Sequence, residues 1–253
     1  MGGQTVTNQL SDYNLWLVLL SYVVSVTGAM TGLLLTGYIR RPDGGISFWW
    51  LSMASMVIGG CAIWSMHFLG MLAYSPGQLI TYDINITAAS LVIAVVVTGA
   101  GLYCVYRWHS SAAALLAGGM IMGSGVAAMH YTGMAAMRMN ADMSYDPTIL
   151  TASIVIALVA ATVALFTLER ARGLVRYASA PVLGLAICGM HYTGMAAMEL
   201  SPATSPVDFF SGTVTEQLMG MPVTMVALAV CISGIYMVID ESHRRSLRAG
   251  SPA

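Results

Sequence analysis

Histidine and methionine recur together at three places along the chain. The stretch 129–137, MHYTGMAAM, is repeated letter for letter at 190–198, and a looser copy, MHFLGM, runs over 66–71. The histidines at 67, 130 and 191 are therefore 63 and 61 residues apart, a spacing typical of architectural repeats. Imidazole beside a thioether sulfur suits copper, Cu(I) in particular. The repeats predict a metal site with copper as its cofactor.

Helical geometry places these ligand types on one stripe of each helix. With 3.6 residues per turn, each histidine and the methionine four residues later share a face, and a second methionine precedes each histidine. The predicted metal ligands are His67, His130, His191, Met71, Met134, Met195, Met66, Met129 and Met190. The glycine three residues after each histidine removes side-chain bulk, which lets neighbouring helix backbones come close.

Two motif copies add hydroxyl groups beside the predicted ligands. Tyr131, Thr132, Tyr192 and Thr193 are expected to donate hydrogen bonds that orient the ligands around the cofactor, although aromatic-belt and helix-packing residues show the same pattern. A membrane histidine also serves as an interhelical hydrogen-bond partner, and methionine fills apolar gaps. The threefold repetition favours the metal site over this alternative.

Composition identifies the kind of fold that must position the motifs. Hydrophobic residues make up 57% of 253 residues and charged residues 8%, with a mean hydropathy of +0.76, which indicates an integral membrane protein. Apolar runs long enough to cross a bilayer as helices occur seven times. The predicted fold is therefore an all-α bundle of seven transmembrane helices. The predicted spans are 14–38, 47–71, 84–106, 112–137, 148–168, 177–198 and 221–239.

Arginine gives the predicted orientation, since the sequence contains no lysine. Nine of the ten arginines lie in the first, third and fifth connections or the C-terminal tail, and only Arg138 lies on the other side. The positive-inside rule then places the N-terminus outside and the C-terminus in the cytoplasm. We expect a bacterial inner-membrane protein that forms one domain over 1–253, with a short cytoplasmic tail from about 240 and an outer loop over 199–220.

The motif order predicts three pseudo-repeated helix hairpins. The second span pairs with the third, the fourth with the fifth and the sixth with the seventh, while the first span stands apart as an extra helix. Parallel repeats of this kind share an axis along the membrane normal. The second, fourth and sixth spans, which carry the motifs, are therefore expected to meet at a common centre and to bring the three histidines together in the outer leaflet.

The tetrads at 129–132 and 190–193, with the degenerate copy at 66–69, resemble the MHYT domain, a bacterial integral-membrane sensor module. The resemblance covers essentially the whole chain. It implies a copper site built from the motif Met and His residues, sensing of a diatomic gas such as oxygen, carbon monoxide or nitric oxide, and signalling to a cytoplasmic output domain or a separate partner. The first copy departs from the family pattern, with Phe68 and Leu69 in place of Tyr and Thr.

Three classes of function remain open from the sequence. The first is a copper-binding gas sensor in the lipid bilayer, the second a copper transport or delivery protein, and the third a haem or copper redox protein, because histidines at matched depth are able to serve as axial ligands. Conventional hydrolytic, nucleotide-binding and nucleic-acid-binding patterns are not evident, so an enzymatic role is not favoured. The oligomeric state is left open.

Overall fold

The computed structural model describes residues 6–7, 12–109, 111–171 and 173–250. The described chain forms seven long helices: α1 (Leu15–Thr36), α2 (Phe48–Leu72), α3 (Ile84–Arg107), α4 (Ala112–Ala135), α5 (Pro147–Arg170), α6 (Gly173–Ala196) and α7 (Glu216–Gly250). Six of them are long and apolar enough to cross a membrane. Within the described residues α6 is not among these six, so the structure has seven long helices and six of the seven predicted spans meet this criterion.

Three helices begin with the same type of cap at the same end of the bundle. The side-chain oxygens of Asn14, Asp83 and Asp146 accept hydrogen bonds from backbone N–H groups in the first turns of α1, α3 and α5. Such caps satisfy donors that a helix leaves without partners. The shared cap is the first sign that α1, α3 and α5 are equivalent.

The helix α2 changes its winding before it reaches the first motif. It is α-helical over Phe48–Ser55, π-helical over Met56–Ser65 and α-helical again over Met66–Leu72. Within the π segment, the Ser65 hydroxyl donates to the Gly60 carbonyl at 2.9 Å. A π segment carries more residues per turn than an α-helix, so it shifts which residues of α2 face the centre of the bundle.

Short strands in the connections correct the all-α prediction. They are β1 (Val6–Thr7), β2 (Thr81–Asp83), β3 (Met137–Arg138), β4 (Ala141–Tyr145), β5 (Met198–Pro202) and β6 (Thr213–Thr215). They form two three-stranded antiparallel sheets, ordered β1-β5-β4 and β3-β2-β6. At this end, neighbouring connections and the segment before α1 pair their backbone groups with one another. We call this end the sheet end and the opposite one the arginine end.

The strands also shorten two predicted helices. The spans 112–137 and 177–198 were expected to stay helical to their last methionine, yet α4 ends at Ala135 and α6 at Ala196. Met137 begins β3 and Met198 begins β5. In contrast, α7 extends beyond the predicted 221–239, since polar residues outside an apolar span are able to continue a helix, here with an Arg244–Asp240 ion pair one turn apart.

Three outer helices, α1, α3 and α5, alternate with the three motif helices, α2, α4 and α6, to form a closed ring. The helix α3 packs between α2 and α4, α5 packs between α4 and α6, and α1 packs between α6 and α2. Among the described residues, α7 packs on α1 and α2 instead of on α6. The sixth and seventh spans therefore do not pack as the predicted hairpin: in space α1 lies beside α6, and α7 is the helix outside the ring. At the arginine end, Arg176 of α6 donates to the Leu33 carbonyl at 2.6 Å and to the Thr36 hydroxyl at 2.9 Å on α1.

Candidate metal centre

The imidazole rings of His67, His130 and His191 meet at the centre of the ring of helices. Their Nδ1 atoms form a triangle, with 3.0 Å between His67 and His191, 3.1 Å between His130 and His67, and 3.3 Å between His191 and His130. All three side chains are fully buried. The convergence of α2, α4 and α6 that the motif spacing predicts is thus seen in the structure.

Hydrogen bonds among the three rings cannot give every Nδ1 atom of this triangle a partner. A neutral imidazole has one N–H and one lone pair, on different nitrogens, so three facing Nδ1 atoms admit one good N–H···N bond. The third Nδ1 is left without a partner. The Nε2 atoms of all three histidines also lack a hydrogen-bond partner within the described residues. Unpaired buried polar atoms are costly, and a cation between the rings would pair the three Nδ1 lone pairs but not the Nε2 atoms.

The size of the triangle fits a single metal ion. A metal about 2.0–2.1 Å from each of three imidazole nitrogens, at tetrahedral angles, would separate the nitrogens by roughly 3.3–3.4 Å. The observed separations of 3.0, 3.1 and 3.3 Å lie close to this range. Among the described His, Cys, Asp and Glu residues, these three histidines form the group whose ligand atoms lie close enough together to hold one metal ion.

Each histidine ring rests on the glycine of another motif copy. A Cβ placed on Gly133 would collide with Nε2 of His67, one on Gly194 with Nε2 of His130, and one on Gly70 with Nε2 of His191. The copies therefore interlock in a cycle, in which each supplies a ring to one neighbour and a glycine to the other. The glycines make room for imidazole, and not only for a neighbouring backbone as the sequence suggested.

The motif tyrosines connect the motif helices to the outer helices. The Tyr131 hydroxyl lies 2.6 Å from Ser153 Oγ on α5, and the Tyr192 hydroxyl lies 3.0 Å from Ser21 Oγ on α1. The ring of Tyr131 meets His130 edge-on at 4.8 Å, and the Tyr192 ring meets His191 at 4.7 Å. The two tyrosines thus hold the imidazoles by ring contact, while their hydroxyls bind serine.

In the first copy another residue performs this connection. Phe68 has no hydroxyl and stacks on Trp64 at 4.9 Å. The indole N–H of Trp64 donates to Ser90 Oγ on α3 at 2.9 Å. Ser21, Ser90 and Ser153 are all fully buried, and each hydroxyl also donates to the carbonyl three residues earlier. The three copies therefore keep the same link between inner and outer helix, although the first uses a different donor.

A tyrosine precedes each cap and covers a motif aromatic ring. Tyr82 packs on Phe68 at 5.3 Å, Tyr145 on Tyr131 at 5.4 Å and Tyr13 on Tyr192 at 6.0 Å. Burial raises the pKa of Tyr145 to about 12, so its hydroxyl stays protonated at neutral pH. These tyrosines are not among the residues predicted from the sequence, although their signal is present there as Tyr-Asn or Tyr-Asp followed by serine seven residues after the cap.

All six predicted methionine ligands are buried within the bundle. They are Met66, Met71, Met129, Met134, Met190 and Met195. A residue four positions after a histidine lies about 40° around the helix and one turn along it, whereas the preceding residue lies about 100° away. The methionines at +4 therefore share the histidine face on the sheet-end side. Thr132 and Thr193, two residues after their histidines, are half-buried on the far side of their helices.

The remaining sequence candidates lie away from the triangle. His109 pairs with Glu169 at 3.0 Å in the connection between α3 and α4, and His243 is exposed on the last part of α7. Cys61, Cys104, Cys188 and Cys231 are free and buried. Cys61 lies on α2 near α7, where its thiol is 3.5 Å from the Ala227 carbonyl.

Comparison with known proteins agrees with the motif. The chain matches the MHYT family, described as a bacterial signalling protein N-terminal repeat, over residues 60–118, 123–180 and 184–251. The third matched repeat contains α6 and α7, which follow each other in the sequence. In space, however, α1 packs beside α6 as α3 packs beside α2 and α5 beside α4. No solved structure matches the chain.

Similar proteins include two from Pseudomonas aeruginosa. The bifunctional diguanylate cyclase/cyclic di-GMP phosphodiesterase MucR is 38% identical over 243 residues, which cover 92% of this chain and 35% of the relative. The cyclic di-GMP phosphodiesterase NbdA is 32% identical over 245 residues, which cover 93% and 31%. The signalling protein YkoW of Bacillus subtilis is 30% identical over 245 residues, which cover 93% and 30%.

The chain spans about a third of the length of these relatives. Its apolar helices and repeated motif make it a multi-pass membrane protein related to signalling proteins. By the family match over most of its length, the chain belongs to the MHYT family of bacterial membrane signalling domains.

Proposed function

We propose that this chain is a sensory module that binds copper at the three histidines and responds to a diatomic gas such as oxygen, carbon monoxide or nitric oxide. The observation that carries the proposal is the Nδ1 triangle, with sides of 3.0, 3.1 and 3.3 Å. A cation between the three Nδ1 atoms would take up lone pairs that hydrogen bonds among the rings leave unpaired. Copper held there supplies a coordination position for a diatomic ligand.

The surroundings of the triangle favour copper over harder metals. Among the described residues, no carboxylate joins the cluster of histidines. Met71, Met134 and Met195 are completely buried one turn away toward the sheet end. Imidazole with thioether sulfur suits Cu(I), whereas magnesium and calcium need oxygen ligands. The same side chains surround the imidazoles with apolar groups, and neutral imidazole is the form that binds metal.

The relatives supply the proposed output. The printed names of MucR and NbdA describe enzymes that make or hydrolyse cyclic di-GMP. We place the sheet end outside the cell and the arginine end in the cytoplasm, on the positive-inside rule. A change at the triangle would then pass through α2 to α7, which contacts α2 beside Cys61, and onward to a cytoplasmic signalling domain or partner.

Copper transport is the weaker alternative. On the arginine-end side of the triangle, the residues one turn before the histidines are Ile63, Val126 and Ile187, and they line a space whose lining side chains are all apolar. A transport path would need further ligand atoms at this point. Haem also fits poorly, because axial ligands lie on opposite faces of a porphyrin, and three nitrogens within 3.3 Å leave no room for the macrocycle.

Metal analysis of purified protein tests the proposal. We expect about one copper per chain, since one triangle holds one ion, and its loss in His130→Ala. His243→Ala is the matched control, because that histidine is exposed on α7. The gas response is read from the change in the copper absorption or X-ray absorption spectrum under carbon monoxide. Equal copper content in the two variants, or a spectrum that carbon monoxide leaves unchanged, would contradict the proposal.

A further inference from the structure

A small cavity lies one helical turn from the histidine triangle, on its arginine-end side. Its volume is about 60 Å³. Ile63, Val126 and Ile187 contribute to its wall, and each lies four residues before a motif histidine. Since four residues correspond to about one turn of helix, all three motif helices present an aliphatic side chain to the cavity directly beneath their imidazole. The cavity is thus adjacent to the site and built by the same repeat.

The cavity wall is chemically uniform. Every described side chain that lines it is aliphatic or a methionine, the latter being Met122 and Met190. A water molecule needs two to four polar partners in such a space, and none of the lining side chains supplies one. Apolar cavities remain dry and bind apolar molecules; an engineered cavity of about 150 Å³ accepts benzene or xenon. A space of 60 Å³ corresponds to a smaller guest, of the size of a diatomic molecule or one xenon atom.

Half-buried residues of two neighbouring helices line the cavity on the side that faces lipid. Ala160 and Ala164 on α5, with Ala186 and Ile187 on α6, line the cavity and are only half-buried. On the same helices, Val159, Val163 and Leu185 are exposed to the surroundings of the bundle. In a membrane these positions face hydrocarbon. On the opposite side of the triangle, toward the sheet end, Met71 and Met134 are completely buried.

We propose that this cavity binds small, neutral, apolar molecules of diatomic size, and that they enter from the bilayer between α5 and α6. Such molecules dissolve in hydrocarbon, whereas ions and polar solutes do not. The route selects by polarity and size before a ligand reaches the histidines. The delivery of these molecules to a metal rests on the proposed function. Their binding in the cavity does not, because the cavity wall contains no metal ligand besides the methionines.

Xenon provides a probe that needs no metal. Crystals of the whole chain, prepared with and without copper, are pressurised with xenon and examined by anomalous diffraction. We expect a xenon atom bounded by Ile63, Val126 and Ile187 in both preparations. Ala161→Leu fills the cavity from α5, where Ala161 is buried, and should reduce xenon occupancy at least tenfold. Ala152→Leu is the matched control on the same helix, because Ala152 is exposed, and should leave occupancy unchanged.

A second substitution that reduces the cavity keeps the test valid in case Ala161→Leu disturbs folding. Ala186→Leu narrows the cavity from α6 and should also lower the occupancy. The absence of xenon from the cavity in the unaltered protein, or equal occupancy in Ala161→Leu, Ala186→Leu and Ala152→Leu, would overturn the proposal. Xenon bound in a protein that takes up no copper would leave the cavity assignment intact and count only against the proposed metal site.

Discussion

The hydroxyl of Tyr192 lies 3.0 Å from Ser21 Oγ, although 171 residues separate them in the sequence. This contact joins the third motif helix, α6, to α1, which closes the ring of helices around the histidines. Its counterpart in the second copy is the contact of Tyr131 with Ser153, at 2.6 Å. The first helix of the chain therefore completes the third repeat.

A double-mutant cycle measures this closure. Tyr192→Phe and Ser21→Ala should each destabilise the protein, and the double variant should lose less than the sum, because both remove the same interaction. Interhelical hydrogen bonds in membranes contribute about 0.6 kcal/mol on average and up to about 1.7 kcal/mol. Unfolding in detergent provides the measurement, with Tyr236→Phe, whose ring is 69% exposed, as the control. Strict additivity of the two changes would show that the contact contributes nothing.

The interlocking glycines give a prediction about metal binding. Gly133→Ala places a methyl group where it collides with Nε2 of His67, so the ring must turn and the triangle opens. We expect copper content to fall in this variant despite a better helix former on α4. Gly189→Ala on α6 is the control, since nothing lies within 4 Å of its added Cβ. Copper content measured by mass spectrometry should separate the two, and equal content would refute the interlocking role.

Hydropathy and motif spacing together predict the central relationship. The seven apolar runs correspond to the seven long helices, and the helical stripe of histidine and methionine predicts that α2, α4 and α6 converge. Local patterns suffice for this much because a buried polar residue in a membrane helix must face the protein interior. The convergence of His67, His130 and His191 follows from that constraint together with the shared spacing of the three motif copies.

The sequence also contains a signal for the closing role of α1, in a pattern outside the motif copies. Tyr13-Asn14 with Ser21 has the same spacing as Tyr82-Asp83 with Ser90 and as Tyr145-Asp146 with Ser153. The chain order suggested α7 as the partner of α6, whereas these capping and serine positions identify α1. The π segment Met56–Ser65 and the two sheets could not be predicted, because they depend on packing between distant segments.

Replacing Phe68 of the first motif copy by the tyrosine of the other two copies should destabilise the protein. Phe68 is fully buried between Trp64 and Tyr82, and Trp64 already donates to Ser90. An added hydroxyl in Phe68→Tyr would therefore lack a partner, at a cost of about 1–3 kcal/mol. Combining Phe68→Tyr with Trp64→Ala frees the Ser90 hydroxyl as a partner for the new tyrosine. The double variant should therefore lose less stability than the sum of the losses in the two single variants. Phe210→Tyr, at a ring that is 89% exposed, should be neutral; simple additivity of the buried pair would contradict this account.

Acid should weaken the sheet end through Asp83. The backbone N–H of Ile86 and the Arg138 side chain, 3.1 Å away, hold the pKa of Asp83 below its ordinary value of 3.8. A lowered pKa contributes stability that is fully present above the ordinary value and is lost as the pH falls through the lowered one. We expect Asp83→Asn to flatten the loss of thermal stability below about pH 4. Asp43→Asn, which removes an exposed pair with Arg41, should leave the acid profile as it is.

The two sets of motif methionines should differ in their effect on copper. Met134 lies four residues after His130 on nearly the same helix face, whereas Met129 points about 100° away, and both are completely buried. Leucine preserves the volume of methionine but not its sulfur. Met134→Leu should therefore weaken Cu(I) binding about tenfold or more through the loss of its sulfur, while Met129→Leu should change it little. Competition with a Cu(I) chelator measures the affinities. Equal affinity in the two variants would mean that the histidines alone hold the metal and that the methionines serve only as packing, because both substitutions disturb the core to a similar extent.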